Sequence, residues 1–407
     1  MLSIKLAWRN IWRNRRRTFI TMASIVVAVA LAAITRSTQE GQYDNMLEST
    51  VGTFTGYIQV HADGYWEEQT LNNSFRGSDS LLKEIAEFPS IQTVAPRIES
   101  YALAATDSQS RPAMVMGIDI QAEQKLGEPH ERLQQGRYFE SNSEQAVIVG
   151  VELMDRLNAQ IGDSLVLLGQ GYRGMNATGL YPIKGTVSYA NPELNKSLVY
   201  LPLQTAQNFF VAGNQLTSAA LILDDVCNVQ QTVEQLRSQL SGEKYEVMSW
   251  QELMPELQQA IQADRGSGII ILMVLYMVVG FGILGTVLMM ISERTYEFGV
   301  MLSVGTPRSS ILKILSLEVL IIAALGAAAG IGVSLPIAWY LHLNPIELTG
   351  SMESAVQSYA MEPVLQFSVA PDIFIVQAII LFIITLLFSI IPIFRASRLE
   401  PVDAMRG

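Results

Sequence analysis

The order of apolar and polar positions divides the chain into four long apolar runs and one long mixed segment. Phe19 to Ile34 is free of charge, as are Ile269 to Ile291 and Val319 to Leu341, and Ile373 to Phe394 is interrupted only by Gln377 and Pro392. A spanning helix needs about 20 apolar residues at about 1.5 Å rise each. The last three runs meet that length, and the first borrows from its flanks. The predicted spans are residues 18–39, 266–292, 313–342 and 372–394.

Residues 1–17 show a different period. Ile4, Ala7, Trp8, Ile11 and Trp12 follow the three-four spacing of an amphipathic helix, with Lys5, Arg9, Arg13 and Arg16 on another face. This predicts a helix lying in the membrane interface, tryptophans at headgroup level and cations toward anionic lipid. A basic stretch, a short apolar run and Ala32-Ala33 also resemble a cleaved signal peptide, but such a peptide has no use for the amphipathic helix.

The mixed segment, residues 40–265, reads as α/β. Extended stretches are expected at 55–61, 91–95, 101–105, 113–118, 146–149, 164–168, 198–201, 219–223 and 245–248. Helices are expected at 80–88, 152–158, 229–240 and 250–263, the last running straight into the second span. Two strand-helix-strand portions thus flank a strand-rich middle of about 119–184.

Charge then orients the spans. Lys5, Arg9, Arg13, Arg15, Arg16 and Arg17 precede the first span, Arg294, Arg308 and Lys313 lie around the loop between spans two and three, and Arg395, Arg398 and Arg406 follow the fourth. Residues 343–371 carry Glu347, Glu353 and Glu362 but no lysine or arginine. By the positive-inside rule both termini are expected in the cytoplasm and the mixed segment outside. The formal net charge of -11 therefore arises in the outer segment, where 15 cations and 29 acids between Arg36 and Arg265 give -14, and it excludes a basic nucleic-acid binder, while a mean hydropathy of +0.27 points to lipid.

Recognisable chemistry is sparse. The single cysteine, Cys227, excludes an internal disulfide, and His61, His130 and His342 have no metal-ligand spacing. No G-x-x-x-x-G-K-[ST] loop occurs. Gly169-Gln-Gly171-Tyr-Arg-Gly174 matches G-x-G-x-x-G, but turn-rich sequence follows where a dinucleotide site needs a helix, so a flexible loop is expected. No catalytic residue, metal site or bound cofactor is predicted.

The stretch Glu293 to Leu312 is the most informative. Thr306 can cap a helix beginning at Pro307, and Tyr296, Val300 and Val304 recur at helical spacing upstream. Phe298, Met301 and Leu302 are apolar in a loop that would otherwise face water, which suggests docking into a partner. Gly326 and Gly330, among alanines, give the third span a smooth face for close helix packing, either on a second chain or within this one. Glu318 is costly near lipid unless paired, with Arg294 or Lys313 as partner.

Taken in order, these features resemble the FtsX-like permeases of the MacB type, which include the LolC and LolE lipoprotein-releasing permeases. The resemblance rests on Leu6-Ala-Trp-Arg-Asn-Ile-Trp-Arg-Asn-Arg-Arg-Arg-Thr, Glu293-Arg-Thr-Tyr-Glu-Phe-Gly, Gly305-Thr-Pro-Arg, Gly326 and Gly330, and Ala396-Ser-Arg-Leu-Glu-Pro-Val-Asp-Ala-Met-Arg. It implies four transmembrane helices and a large α/β extracytoplasmic domain between helices 1 and 2, made of a porter-like part with an inserted small-β part. It also implies that residues 293–312 form a coupling helix against a separate ABC ATPase dimer, which holds ATP and magnesium. Glu293, Arg294, Glu297, Phe298, Gly299, Met301, Leu302, Gly305, Thr306 and Arg308 would carry the coupling. A second permease copy or paralogue would complete the complex in a bacterial inner membrane, with residues 395–407 as cytoplasmic tail.

Two function classes follow. One is a non-catalytic permease releasing lipoprotein or exporting an apolar or lipidated cargo. The other is an FtsX-like regulator of an external enzyme, for which a bipartite outer domain is larger than expected. For an acyl-chain cargo, Met46, Leu47, Ile270, Met273 and Met277 are the expected cavity lining, since methionine adapts to variable chains.

Overall fold

The computed structural model describes residues 2–13, 15–224, 228–240, 245–350, 353, 356 and 363–397. Cys227, Glu362, Arg398, Arg406 and the tail 398–407 lie outside the described residues, as do the side chains of Ile4 and Arg17. The chain forms two compact units, one of Met1–Asp44, Ala260–Glu347 and Val364–Gly407, the other of Asn45–Gln259 with Leu348–Pro363.

The first unit is helical. Among the described residues, four helices are long and apolar enough to cross a membrane, within Arg15–Leu47, Pro255–Ser292, Arg308–Leu343 and Pro371–Ser397. Charged ends extend the first two beyond the apolar runs, because a helix already held by its span continues at little cost through polar residues. The expected helix over 250–263 is instead broken at Met254, whose φ of -130° and ψ of 64° are non-helical, and a new helix starts at Pro255. Proline favours that position because a first helical residue has no use for its amide hydrogen.

Gly326 and Gly330 pack against the first membrane helix of the same chain. A Cβ at 326 would lie 2.9 Å from the Cβ of Ile25, and one at 330 only 2.6 Å from that of Val29. The smooth face is thus filled internally, with Ile25, Ala28, Val29 and Ala32 in one core with Ile322 and Ala327. At the far end of these helices the Tyr43 hydroxyl donates to Asp264 Oδ2 at 2.7 Å, and Glu40 pairs with both Arg36 (2.5 Å) and Arg265 (3.1 Å).

The second unit is built on one large sheet whose ten strands we number in chain order. They are β1 (Ile58–Ala62), β2 (Ile91–Ala105), β3 (Ser110–Ile118), β4 (Leu133–Gly136) and β5 (Val147–Gly150), then β6 (Ser164–Gln170), β7 (Asn176–Val187), β8 (Leu198–Pro202), β9 (Ser218–Leu223) and β10 (Tyr245–Ser249). The first part is an open antiparallel run, β10-β1-β9-β2. Beyond it, β2-β3-β8-β5-β7-β6 closes on itself, because β6 pairs with β7 along one edge and with the end of β2 along the other, Leu103 opposite Leu168.

This six-stranded barrel is filled by inward positions from every strand, among them Ala102, Val115, Val149, Leu167, Ile183 and Val199. The strand-rich middle read at 119–184 supplies β4 to β7, but it cannot close without β2, β3 and β8 from outside it. The inserted β part is therefore wider than that reading and runs from the end of β2 through β8, between the strands of the open sheet. Residues 91–95 and 101–105, expected as separate strands, are one fifteen-residue strand that serves both halves.

Where the sheet begins, a π-helical segment, Glu48–Thr55, ends at Gly56 with φ +81°. Arg97 on β2 reaches its last turn. Arg97 donates from Nη1 to the Phe54 carbonyl at 2.6 Å, from Nη2 to Glu123 Oε1 at 2.5 Å and from Nε to Glu123 Oε2 at 3.1 Å. Both side chains are 1% exposed. The same unit buries His61, whose Nδ1 lies 3.0 Å from the Thr217 carbonyl while Nε2 has no hydrogen-bond partner among the described residues.

Candidate functional site

The segment joining the second and third membrane helices turns sharply at Arg294, whose φ of -104° and ψ of 8° leave the helix. A nine-residue helix, Thr295–Ser303, follows. It is closed by two backbone bonds, Gly305 N–H to Leu302 O and Thr306 N–H to Met301 O, both 3.0 Å. That closure requires a left-handed residue, and Gly305 supplies it with φ +95°. Thr306 was the expected cap of the third membrane helix, with Pro307 first in it. The helix begins at Arg308 instead, and Pro307 takes the flanking position with no side-chain cap.

Beneath the short helix lies a chain of buried charge. Arg294 donates from Nη1 to Glu318 Oε2 at 2.7 Å, and the other Glu318 oxygen accepts from Asn10 Nδ2 at 2.6 Å. Arg294 Nε reaches Glu297 Oε2 at 3.3 Å, and Arg13 Nη2 donates to both Glu297 oxygens at 2.5 and 2.6 Å. Glu318 and Arg294 are 3% and 7% exposed, whereas Glu297 and Arg13 are about half exposed. The network therefore runs from the interior of the unit to its surface and joins three helices, Leu2–Arg13, Thr295–Ser303 and Arg308–Leu343. Burial pushes the Glu297 carboxyl up, but the hydrogen bonds and charges of Arg13 and Arg294 outweigh it and hold Glu297 below the usual carboxylate range.

Of the two partners expected for Glu318, Arg294 takes the role. Phe298 requires correction. It is 2% exposed, packs in the unit's core and lies under the Arg294 guanidinium at 5.2 Å, so it is unable to present the apolar contact assigned to it. Gly299 is buried as well, and Met301 and Leu302 are half-buried against the same core. The face turned outward is Tyr296 (63% exposed), Val300 and Val304 (82% exposed), with Glu293 and Arg308 exposed at its ends.

Asn10 and Arg13 were not singled out as site residues. A signal for Asn10 existed, because it stands three residues after Ala7 and beside Ile11, both buried, on the inward stripe of the amphipathic helix. Trp8 and Trp12 stay half exposed, their rings 6.0 Å apart.

The other expected positions are separate. Ile270, Met273 and Met277 are exposed along one side of the second membrane helix, and Met46 and Leu47 are half-buried at the end of the first. The glycine loop is a single tight turn, Tyr172–Gly174, leading into β7. A Cβ on Gly171 would lie 2.4 Å from the Phe210 carbonyl, so glycine there serves close packing of backbone. Among the described residues no group of three or more histidines, cysteines or acids could hold a metal ion.

Comparison with known proteins adds the lineage. Residues 18–239 match the model of the MacB-like periplasmic core domain, and residues 269–401 that of the FtsX-like permease C-terminal domain. The pyoverdine export ATP-binding/permease protein PvdT of Pseudomonas aeruginosa is 23% identical over 99% of this chain, which spans 58% of that relative's length. The lipoprotein-releasing system transmembrane protein LolC of Xylella fastidiosa is 22% identical, covering 100% of this chain and 98% of its own length. Among solved structures, the periplasmic region of MacB from Actinobacillus actinomycetemcomitans aligns with 53% of this chain and 97% of its own, at 18% identity and a TM-score of 0.37.

Proposed function

The chain belongs to the MacB/LolC-type, FtsX-like family of ABC transporter permeases, and from that premise we propose that it is a non-catalytic subunit converting ATP hydrolysis in a separate ATPase dimer into work on an outer-leaflet cargo. The cargo class we assign is lipoprotein or another apolar, lipid-anchored molecule. A bacterial inner membrane with both termini cytoplasmic is the setting, as the placement of lysine and arginine favours.

One observation carries the reading. The nine-residue helix offers an apolar outer face, Tyr296, Val300 and Val304, while its inner face is fastened through Arg294 and Glu318. An exposed apolar face on a rigidly held helix is suited to a partner's groove. Force applied there would reach the third membrane helix through Glu318 and the amphipathic helix through Glu297 and Arg13. Ile270, Met273 and Met277 form the exposed stripe along which an acyl chain would lie. A second permease copy or paralogue would complete the path.

The test replaces Val304 by arginine. Val304 is 82% exposed, so the substitution should leave folding intact. We expect loss of co-purified ATPase subunit by about tenfold or more, since a buried charge at such a contact costs about 2 kcal/mol or more. Assembly, ATP turnover and release of a lipidated cargo are measured in one preparation. Normal assembly and release by V304R would refute the docking face.

A further inference from the structure

A second feature at the same end of the helical unit is not explained by coupling. A cleft of about 710 Å³ opens between the starts of the first membrane helix and the end of the second. Arg13, Arg15 and Arg16 line it together with Ile20, Thr21, Thr286 and Met289, and Glu293 is the acid among its described lining residues. Arg15 and Arg16 are exposed side chains in the first turn of the helix that begins at Arg15. The Arg15 guanidinium lies over the Trp12 ring at 5.7 Å and donates to the Trp12 carbonyl at 3.3 Å, which holds it beside the cleft.

We propose that this cleft binds the phosphate of an anionic phospholipid, from the leaflet on the side of the chain's N-terminus. Arg15 and Arg16, with Arg13 shared with Glu297, outnumber the one lining carboxylate and favour an anion, and guanidinium suits phosphate geometrically. Ile20 and Met289 belong to the apolar runs of their helices, so a ligand with a charged head and acyl tails matches the whole lining, whereas free phosphate matches only the arginines. Basic pockets between membrane helices hold such headgroups on general electrostatic grounds. Arg13 belongs both to the cleft and to the contact with Glu297. Bound phosphate and Glu297 therefore compete for one guanidinium, which ties lipid occupancy to the position of the short helix.

The experiment titrates the full chain, purified in nonionic detergent, with phosphatidylglycerol or phosphatidylcholine and counts bound lipid by native mass spectrometry. Each arginine near an anionic headgroup is worth about fivefold in affinity, so Arg15→Ala with Arg16→Ala should weaken phosphatidylglycerol binding by roughly 25-fold and leave phosphatidylcholine unchanged. Arg16→Ala alone, expected at about fivefold, serves if the double variant does not fold. Lys5→Ala with Arg9→Ala removes equal charge outside the cleft and should change binding by less than about twofold on the same scale. Glu297→Gln, which releases Arg13, should tighten binding. Three results would overturn the proposal: unchanged binding in the arginine variants, an equal loss in the Lys5 and Arg9 variant, or displacement of the lipid by millimolar inorganic phosphate, which would assign the site to a soluble anion. Unchanged affinity in E297Q would refute the competition for Arg13.

Discussion

Among the described residues, each unit buries an arginine against a glutamate, and the two pairs are wired differently. In the outer unit Arg97 grips Glu123 with two nitrogens and gives a third donor to the Phe54 carbonyl. Every bond stays inside, and both side chains are sealed from water. In the helical unit Arg294 holds Glu318 with one nitrogen, while the second Glu318 oxygen goes to Asn10 and the Arg294 Nε to Glu297. That pair ends at the surface on Arg13. A closed pair fixes a backbone junction, here the end of the π-helical segment against β2. An open pair shares its bonds among elements that can be pulled from outside. The same two residue types thus make an anchor in one place and, on the proposed reading, a relay in the other.

The largest expected effect separates anchor from relay directly. Glu123→Ala leaves Arg97 buried with its charge uncompensated, and should cost about 3–5 kcal/mol. The loss should appear in thermal melting of the full chain and in protease sensitivity of the outer unit. A cost below about 1 kcal/mol would mean that water reaches Arg97, contrary to its burial.

Acid should next distinguish the two units. Burial pushes His61 down to about 4, against a smaller opposing contribution from its hydrogen bond to Thr217. A histidine with a depressed folded pKa adds stability that is complete above its unfolded value of about 6.5. That stability is lost as pH falls from there toward about 4. At roughly 1.4 kcal/mol per unit the outer unit should lose up to about 3 kcal/mol across this window. His61→Phe should flatten the dependence between pH 6.5 and 4 in melts of the full chain, and an unchanged slope would exclude His61 as the sensor. Glu297 titrates in the same sense, since its folded pKa is also depressed, but only below the usual carboxylate range.

The smallest stability effect belongs to the relay. Glu318→Ala should cost about 1–3 kcal/mol, less than the anchor, because Arg294 keeps Glu297 as a partner. Adding Glu297→Ala removes that reserve, so the double variant should lose more than the sum of the single losses. Melting of the four proteins in one detergent measures the cycle. Strict additivity would show that the two carboxylates act independently.

How far the chain could be read without coordinates differs between its parts for physical reasons. The four spans were legible because lipid demands length and apolarity, both local properties. The Arg294–Glu318 pair was legible because a carboxylate near lipid must have a cation, and few were in reach. The direction of Phe298 was not, since the short helix carries two apolar stripes, Phe298 with Met301 and Leu302, and Tyr296 with Val300 and Val304. Periodicity defines both faces, and tertiary packing under Arg294 chooses the inner one. The barrel was illegible for a similar reason. Alternation marks β2 and β6 as strands, but nothing local pairs Leu103 with Leu168 across the residues between them.

The contact of Gly326 and Gly330 with Ile25 and Val29 also sets a timetable for assembly. The first membrane helix is made early, yet the glycines that receive it emerge about 300 residues later. At about 5–20 residues per second its partner is absent for roughly 15–60 s. Over that interval Ile25 and Val29 rest against acyl tails, which are as apolar as the glycine face that replaces them, so waiting carries little penalty. Asn10 and Arg13 spend the same interval without Glu318 and Glu297, and their amphipathic helix takes its final seat only after synthesis of the third helix.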